Sequence, residues 1–251
     1  MKITAWSSLL VLGVLGCNQS QPAPQQPSSS APAALVAVDP ATAGSVSGTI
    51  SFKGAVPKLP SLDMTQDPGC PTQPQPSEAI VVKNGKLANV FVYVKAGLPQ
   101  GKFAVLSEPV VLDQKGCRYI PHVMAVMAGQ PFKILNTDTA DHNVHAMPSN
   151  NPQWNESQMP TDPPLLKTFA HPEMMIPLQC NQHPWMRAYV SVLSHPYFAV
   201  SATDGSFQIK NLPPGEYTLA AVHEKFGEQI VKIQVVPKEN AKTEFVFAAG
   251  K

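Results

Sequence analysis

The chain has 251 residues, a formal net charge of +1, 43% hydrophobic residues and 27 prolines. A near-neutral chain without a block of basic residues excludes a nucleic-acid partner, which would need a basic patch or stripe. The length suits one large domain or two small domains, each with a buried core.

Residues 1–16 predict a lipoprotein signal peptide. They carry a single charge, Lys2, before an apolar run over residues 9–15. About 20 apolar residues are needed to span a bilayer, so this run is too short for a transmembrane helix and is typical of a signal-peptide core. Residues 14–17, Val-Leu-Gly-Cys, resemble the lipobox of bacterial lipoproteins, which implies acylation of Cys17. An ordinary signal peptide that happens to contain a cysteine is the alternative.

Residues 17–44 predict a flexible tether. They consist mainly of Gln, Pro, Ser and Ala, with Asp39 as the only charge. Such a composition lacks the apolar content that would offset the entropy of ordering. Asn18 resembles the bacterial signal for sorting to the outer membrane. We therefore expect an exported, periplasm-facing lipoprotein, anchored in the outer membrane, that touches the membrane only through its lipid.

Hydrophobic alternation after the tether predicts β-strands. Apolar and polar residues alternate over residues 46–52, which is the pattern of a half-buried strand. Residues 80–82 and 87–94 flank Asn84-Gly85, a pair typical of a tight hairpin turn. No stretch shows a competing helical period. The sequence therefore predicts an all-β fold.

Residues 180–186, Cys-Asn-Gln-His-Pro-Trp-Met, place a thiolate, an imidazole and a thioether in one short loop. Upstream, His142 follows a strand-like run and supplies a second imidazole. Two histidines, one cysteine and a weak axial methionine are the ligands of a blue-copper site. The sequence therefore predicts one type-1 copper bound by His142, Cys180, His183 and Met186.

The two motifs resemble those of the cupredoxins, the plastocyanin and azurin superfamily. The spacing from Cys180 to His183 to Met186 is that of the amicyanin family, and the match covers roughly residues 108–195. The upstream residues that carry the resemblance are Tyr119, Pro121, 123–127, Gly129, 132–135, Asn136 and His142-Asn143.

The cupredoxin resemblance implies a Greek-key β-sandwich over residues 108–197. It also implies that Asn143 hydrogen-bonds across to the Cys180 loop. His183 is expected near solvent because it lies in this loop, and the resemblance implies that it can leave reduced copper and take a proton. Pro184 and Trp185 would then form the apolar patch at which redox partner proteins dock through small transient interfaces.

The flanking segments, residues 45–107 and 198–251, resemble a carboxypeptidase regulatory-like domain, a transthyretin-like β-sandwich of the carbohydrate-binding-like class. The resemblance rests on residues 46–52, 89–94, 204–209, 212–219, 230–236 and 244–247. It implies a cupredoxin sandwich inserted into, or continuous with, a transthyretin-like one.

The four cysteines divide by role. With Cys17 assigned to the lipid and Cys180 to copper, Cys70 and Cys117 remain as a pair, and in an exported protein such a pair is expected to form a disulfide. A second metal site that includes His122 is the alternative. The other histidines, His145 among them, are expected to be surface or core residues.

These residues favour a one-electron carrier. The ligand set leaves no open position for a substrate, so we do not expect an enzyme. Two alternatives stay open. One is copper storage or delivery, with the methionines handling Cu(I), although methionine is more often core filler. The other is an envelope glycan-binding module, for which no aromatic platform is evident in the sequence.

Overall fold

The computed structural model describes residues 35–249, which contain eighteen β-strands and no helix. This confirms the predicted all-β fold. The strands in chain order are β1 (Gly44–Lys53), β2 (Val82–Lys83), β3 (Lys86–Leu87), β4 (Phe91–Ala96), β5 (Val110–Gln114), β6 (Tyr119–Ile120), β7 (Val123–Met127), β8 (Phe132–Asn136), β9 (His142–Ala146), β10 (Trp154–Gln158), β11 (Leu165–Lys167), β12 (Glu173–Gln179), β13 (Arg187–Leu193), β14 (Phe198–Val200), β15 (Ser206–Leu212), β16 (Gly215–His223), β17 (Gly227–Val235) and β18 (Asn240–Ala248).

The first and last strands form one β-sandwich, which we call the terminal sandwich. One sheet has the order β15-β1-β3-β2, with β18 parallel to β1, and the other has the order β14-β4-β16-β17. Val46, Ile50 and Phe52 of β1 point into the core between them, as the alternation predicts. Gly48 lets the neighbouring strands approach, because a Cβ there would lie 2.3 Å from the carbonyl oxygen of Thr243.

The middle of the chain forms a second β-sandwich, the middle sandwich. Its sheets have the orders β10-β9-β12-β13-β7 and β11-β8-β5-β6. Parallel pairs join β7 to β13 and β5 to β8, and the other pairs are antiparallel. The core between the sheets contains Phe132, Phe169 and the candidate ligands Cys180 and Met186.

A small apolar cluster joins the two sandwiches. Phe91 and Tyr93 of β4 pack against Val123 and Leu193 of the middle sandwich, while the alternate residues of β4 face the terminal core. Both faces of β4 are therefore buried, which accounts for its continuous apolar sequence Phe-Val-Tyr-Val. The chain passes from the terminal sandwich to the middle sandwich between residues 96 and 110, and it passes back between residues 193 and 198. The predicted boundaries of the two domains, residues 45–107 with 198–251 and residues 108–197, stay a prediction.

The strand predicted over residues 87–94 is interrupted. The hairpin turn at Asn84-Gly85 is present, but Leu87 ends β3 in one sheet and Phe91 begins β4 in the other. Between them Asn89 adopts a left-handed conformation with φ of 59°, and its side chain donates to the carbonyl oxygen of Glu78 at 3.2 Å. Asparagine tolerates this conformation better than most residues, so it redirects the chain here.

The predicted signal peptide, Cys17 and the tether up to residue 34 lie outside the described residues. The last part of the expected tether contacts the fold, since Leu35 bridges Lys102 and Val38 packs against the terminal core. Across residues 35–249, no helix has the length and hydropathy needed to cross a membrane.

Candidate metal centre

Three of the four predicted ligands converge in a buried cluster. Nδ1 of His142 lies 2.9 Å from Nδ1 of His183, which lies 3.8 Å from Sγ of Cys180. The three side-chain donor atoms all lie within 4.8 Å of one another. The three residues are at most 3% exposed. Their donor atoms therefore surround a point that one metal ion could occupy.

Strand pairing and a tight loop bring these residues together. His142 begins β9, which pairs with β12, and Cys180 follows directly after β12. The loop from Cys180 to Met186 is closed by two backbone hydrogen bonds, from the Cys180 N–H to the Met186 carbonyl and from the Met186 N–H to the His183 carbonyl. The second bond closes a turn over residues 183–186, and the first brings the two ends of the loop together.

Met186 is buried in the same core as Cys180 and is 1% exposed. Its role as the axial ligand stays a prediction. Its burial in the core that also holds Cys180 suits a thioether, which is a weak ligand at long distance.

Asn143 connects its own strand to the metal loop. Its Oδ1 accepts the N–H of Asn181 at 2.8 Å and lies 3.2 Å from Sγ of Cys180. Its Nδ2 donates to Oδ1 of Asn155 at 2.7 Å, which fixes the oxygen towards the loop. The hydroxyl of Tyr119 donates to its carbonyl oxygen. The bond across to the loop is the one that the cupredoxin resemblance implies for this residue.

Each histidine of the cluster is held on its other nitrogen by an aspartate. Nε2 of His142 lies 3.0 Å from Asp138, and Nε2 of His183 lies 3.0 Å from Asp67. A carboxylate accepts a hydrogen bond, so Nε2 of each ring carries the proton and Nδ1 presents its lone pair to the cluster. Burial lowers the pKa of His142 more than Asp138 raises it, which favours the neutral ring that binds metals.

Asp67 belongs to a segment that covers the metal loop. We call residues 62–75 the strap; its ends are joined by backbone hydrogen bonds of 2.7 and 3.0 Å between Leu62 and Gln75. Cys70 of the strap forms the predicted disulfide with Cys117, and its Sγ lies 4.0 Å from Nε2 of His183. Cys180 is the only free cysteine within residues 35–249, and it is buried.

The expectation that His183 lies near solvent is wrong. The residue is 3% exposed because the strap covers its Nε2 edge. Next to it, Pro184 is exposed but Trp185 is only partly so. The Trp185 ring packs on His183 with 5.1 Å between centroids and donates its N–H to the carbonyl oxygen of Cys117 at 3.1 Å. The apolar patch predicted around His183 is therefore reduced to Pro184 and the edge of Trp185.

The alternative metal site with Cys70, Cys117 and His122 does not form. Both sulfurs are in the disulfide, and Nε2 of His122 lies 2.5 Å from Oε1 of Glu224. His145 contacts Oδ1 of Asn181 at 3.3 Å and is not among the converging donors.

The remaining histidines and methionines differ in their burial. His195 and His223 are buried and His171 is exposed. Met124 and Met127 are core residues, as expected for core filler. Met159 is 58% exposed and Met174 is 38% exposed.

Sequence reasoning missed Asp67 and Asp138. Asp138 precedes His142 by four residues, and that spacing was a usable signal. Asp67 is 116 residues from His183, and nothing in its Pro-rich surroundings pointed to a histidine.

We expect the two aspartates to strengthen metal binding. Asp138→Asn and Asp67→Asn keep the size of the side chain but remove its charge, so each should weaken Cu(II) binding by about 10- to 100-fold. Competition with a chelator of known affinity measures this. Asp141→Asn is the control, because Asp141 is exposed and adjacent to His142. Unchanged affinity in both variants would mean that the carboxylates do not support the ligands.

No protein-family model and no curated protein matches the sequence. Similar solved structures include a copper-containing nitrite reductase from Thermus scotoductus SA-01, with 19% identity over 40% of this chain and 26% of that chain and a TM-score of 0.32. A purple cupredoxin from Nitrosopumilus maritimus has 18% identity over 33% of this chain and 97% of that chain, with a TM-score of 0.29. A Cu(I) form of an amicyanin variant has 22% identity over 40% of this chain and 97% of that chain, with a TM-score of 0.30.

Proposed function

We propose that this protein is a mononuclear type-1 copper protein that carries one electron at a time between redox partners in the bacterial cell envelope, anchored by a lipid on Cys17. The observation that carries the proposal is the convergence of two Nδ1 atoms and one free thiol in a buried cluster. No other group of His, Cys, Asp or Glu side chains within residues 35–249 offers three donor atoms without using a sulfur of the disulfide.

The donor set favours copper over other metals. Thiolate and thioether sulfur are soft ligands that suit copper, and zinc sites rarely use a thioether. His142, Cys180 and His183 would hold the ion, with Met186 as a weak fourth ligand. Copper bound there would supply a one-electron couple.

The surrounding residues limit movement at the site. Asp138 and Asp67 fix the planes of the two imidazoles, and Asn143 holds the Cys180 loop through the N–H of Asn181. The strap and its disulfide keep Asp67 in place. Ligands that stay in place during a change of charge lower the reorganisation that accompanies electron transfer. This supports an electron carrier more than a protein that captures and releases its metal.

The same enclosure argues against an enzyme. His183 lies under the strap and Met186 is buried, so a substrate has no free position on the metal. The glycan-binding alternative has less support, because the exposed large hydrophobic side chains of the terminal sandwich, within residues 35–249, include no aromatic ring.

Replacing Met186 distinguishes an electron carrier from a copper carrier. Glutamine is a harder oxygen donor that favours Cu(II), so Met186→Gln should lower the reduction potential while one copper stays tightly bound. Voltammetry measures the potential, and transfer to a Cu(I) chelator measures retention. Met159→Gln, at a methionine that is 58% exposed, should change neither. An unchanged potential with rapid loss of Cu(I) would favour copper delivery.

A further inference from the structure

A cavity of about 340 Å³ lies beside the metal loop. Its wall is built from five parts of the chain: the segment that leads into the strap, the segment that leaves it, the segment before β7, the metal loop, and the turn between β16 and β17. The lining residues that matter for its chemistry are Leu59, Leu62, Arg118, His122, Trp185, Met186 and Glu224.

Part of the cavity lining is apolar. Leu59 and Leu62 form this part together with Pro184 and Trp185. The Trp185 ring is fixed by its hydrogen bond to Cys117 and by packing on His183. A planar apolar ligand could therefore lie against a surface that is already in place, which reduces the entropy lost on binding.

The cations in the wall already have partners. Arg118 lies 3.5 Å from Glu78 and donates to the carbonyl oxygen of Pro76 at 2.8 Å. Nε of Arg187 donates to the carbonyl oxygen of Pro184 at 3.3 Å. Lys225 lies 3.5 Å from Glu224. Glu78 and Glu224 offset two of these three cations, so the wall carries little net charge and suits an uncharged ligand.

His122 and Glu224 form a buried pair in the same wall. Their side chains are each 6% exposed, and Oε1 of Glu224 lies 2.5 Å from Nε2 of His122. Nδ1 of His122 lies 2.9 Å from the carbonyl oxygen of Arg187, which can only accept, so Nδ1 carries a proton. The pair therefore shares a further proton between Nε2 and the carboxyl group. Oε2 of Glu224 lies 3.5 Å from Lys225, so a ligand hydroxyl would donate to this oxygen beside the ammonium group.

A buried pair of this kind is costly and is weak support for stability by itself. Apolar residues would join the turn between β16 and β17 to the middle sandwich at a lower cost in free energy. Buried ionisable pairs in a cavity are typical of binding sites. The cavity wall thus combines apolar side chains, among them the fixed Trp185 ring, with a carboxyl acceptor and little net charge.

We propose that this cavity binds a small, uncharged hydroxylated aromatic compound, with its ring against Trp185 and a hydroxyl group donating to Glu224. A volume of about 340 Å³ is at the lower end of ligand pockets and suits a single substituted ring. Because Met186 also lines the cavity, the compound would lie against the metal loop, where a small organic electron donor would need to be. The role as an electron donor rests on the proposed function, whereas the binding of the compound does not.

Binding of two matched probes to the full chain, prepared without metal, tests the proposal. Hydroquinone can donate from its hydroxyl groups, whereas 1,4-dimethoxybenzene has the same ring but no donor. A hydrogen bond to a charged group should make hydroquinone bind at least tenfold more tightly by calorimetry or ligand-observed NMR. Glu224→Gln should remove most of this difference, and Glu239→Gln, at an exposed turn residue, should retain it.

Filling the cavity gives a second variant that does not touch the buried pair. Leu59 is 39% exposed, so Leu59→Trp can fill the cavity from its rim. It should abolish hydroquinone binding without changing the thermal midpoint. No binding of hydroquinone at millimolar concentration, equal binding of the two probes, or unchanged binding in both Glu224→Gln and Leu59→Trp would overturn the proposal. Since the protein is metal-free, none of these results bears on the copper assignment.

Discussion

The double variant Cys70→Ala and Cys117→Ala is expected to lose about 4 kcal/mol of unfolding free energy. The two cysteines are 47 residues apart, and a bridge across that length removes much of the conformational freedom of the unfolded chain. The disulfide also ties the strap, whose Met64 is fully buried, to the middle core. Denaturant unfolding of the metal-free protein measures the loss.

Wild-type protein reduced with a small thiol is the matched control for this variant, because it breaks the same bond without changing any side chain. Both forms should unfold at the same lower denaturant concentration. A loss below about 1 kcal/mol in both would contradict the assigned role of the bridge. The variant should also bind Cu(II) more weakly, because Asp67 is then less well held against His183.

Stability is expected to fall as the pH drops from about 6.5 towards 4, and His195 should cause a large part of the loss. Burial lowers the pKa of His195 to about 4. Its ring accepts the N–H of Tyr197 on Nδ1 at 3.2 Å and packs against Phe103. A folded-state pKa below the unfolded value gives stability that is complete above about 6.5 and is lost as the pH falls through 4.

The contribution of His195 over this range is on the order of 3 kcal/mol. His195→Asn keeps an acceptor near Tyr197 but cannot take a proton, so the difference in unfolding free energy between pH 7 and pH 4 should shrink by about that amount. His171→Asn, at an exposed histidine, should leave the difference unchanged. Part of the pH dependence should persist in His195→Asn, because burial also lowers the pKa of His223 to about 4. An equal pH dependence in His195→Asn and wild type would show that His195 is not buried as a neutral ring.

Local patterns were enough to predict the fold class and to single out the three residues that converge in the candidate site. Alternation in β1 and the Asn84-Gly85 turn act over a few residues, so they can be read from sequence. The Cys180, His183 and Met186 spacing lies within one loop, and the structure brings the first two of these together with His142.

Long-range contacts without a recognisable motif could not be predicted. The strap reaches His183 across 116 residues, and its proline-rich sequence has no periodicity that points to a partner. The exposure of His183 was expected from its place in the loop, and this expectation is wrong because the strap covers this edge of the ring. The break at Asn89 was missed for a related reason, since the left-handed conformation depends on a bond to Glu78 from an earlier loop.

The most direct test of the copper assignment is the absorption and EPR spectrum of the full chain loaded with Cu(II). A short bond between copper and the Cys180 thiolate should give intense visible colour with one copper per chain. The variant Cys180→Ser retains His142 and His183 but should lose that colour. A colourless complex with an ordinary square-planar Cu(II) spectrum in the wild type would contradict the assignment.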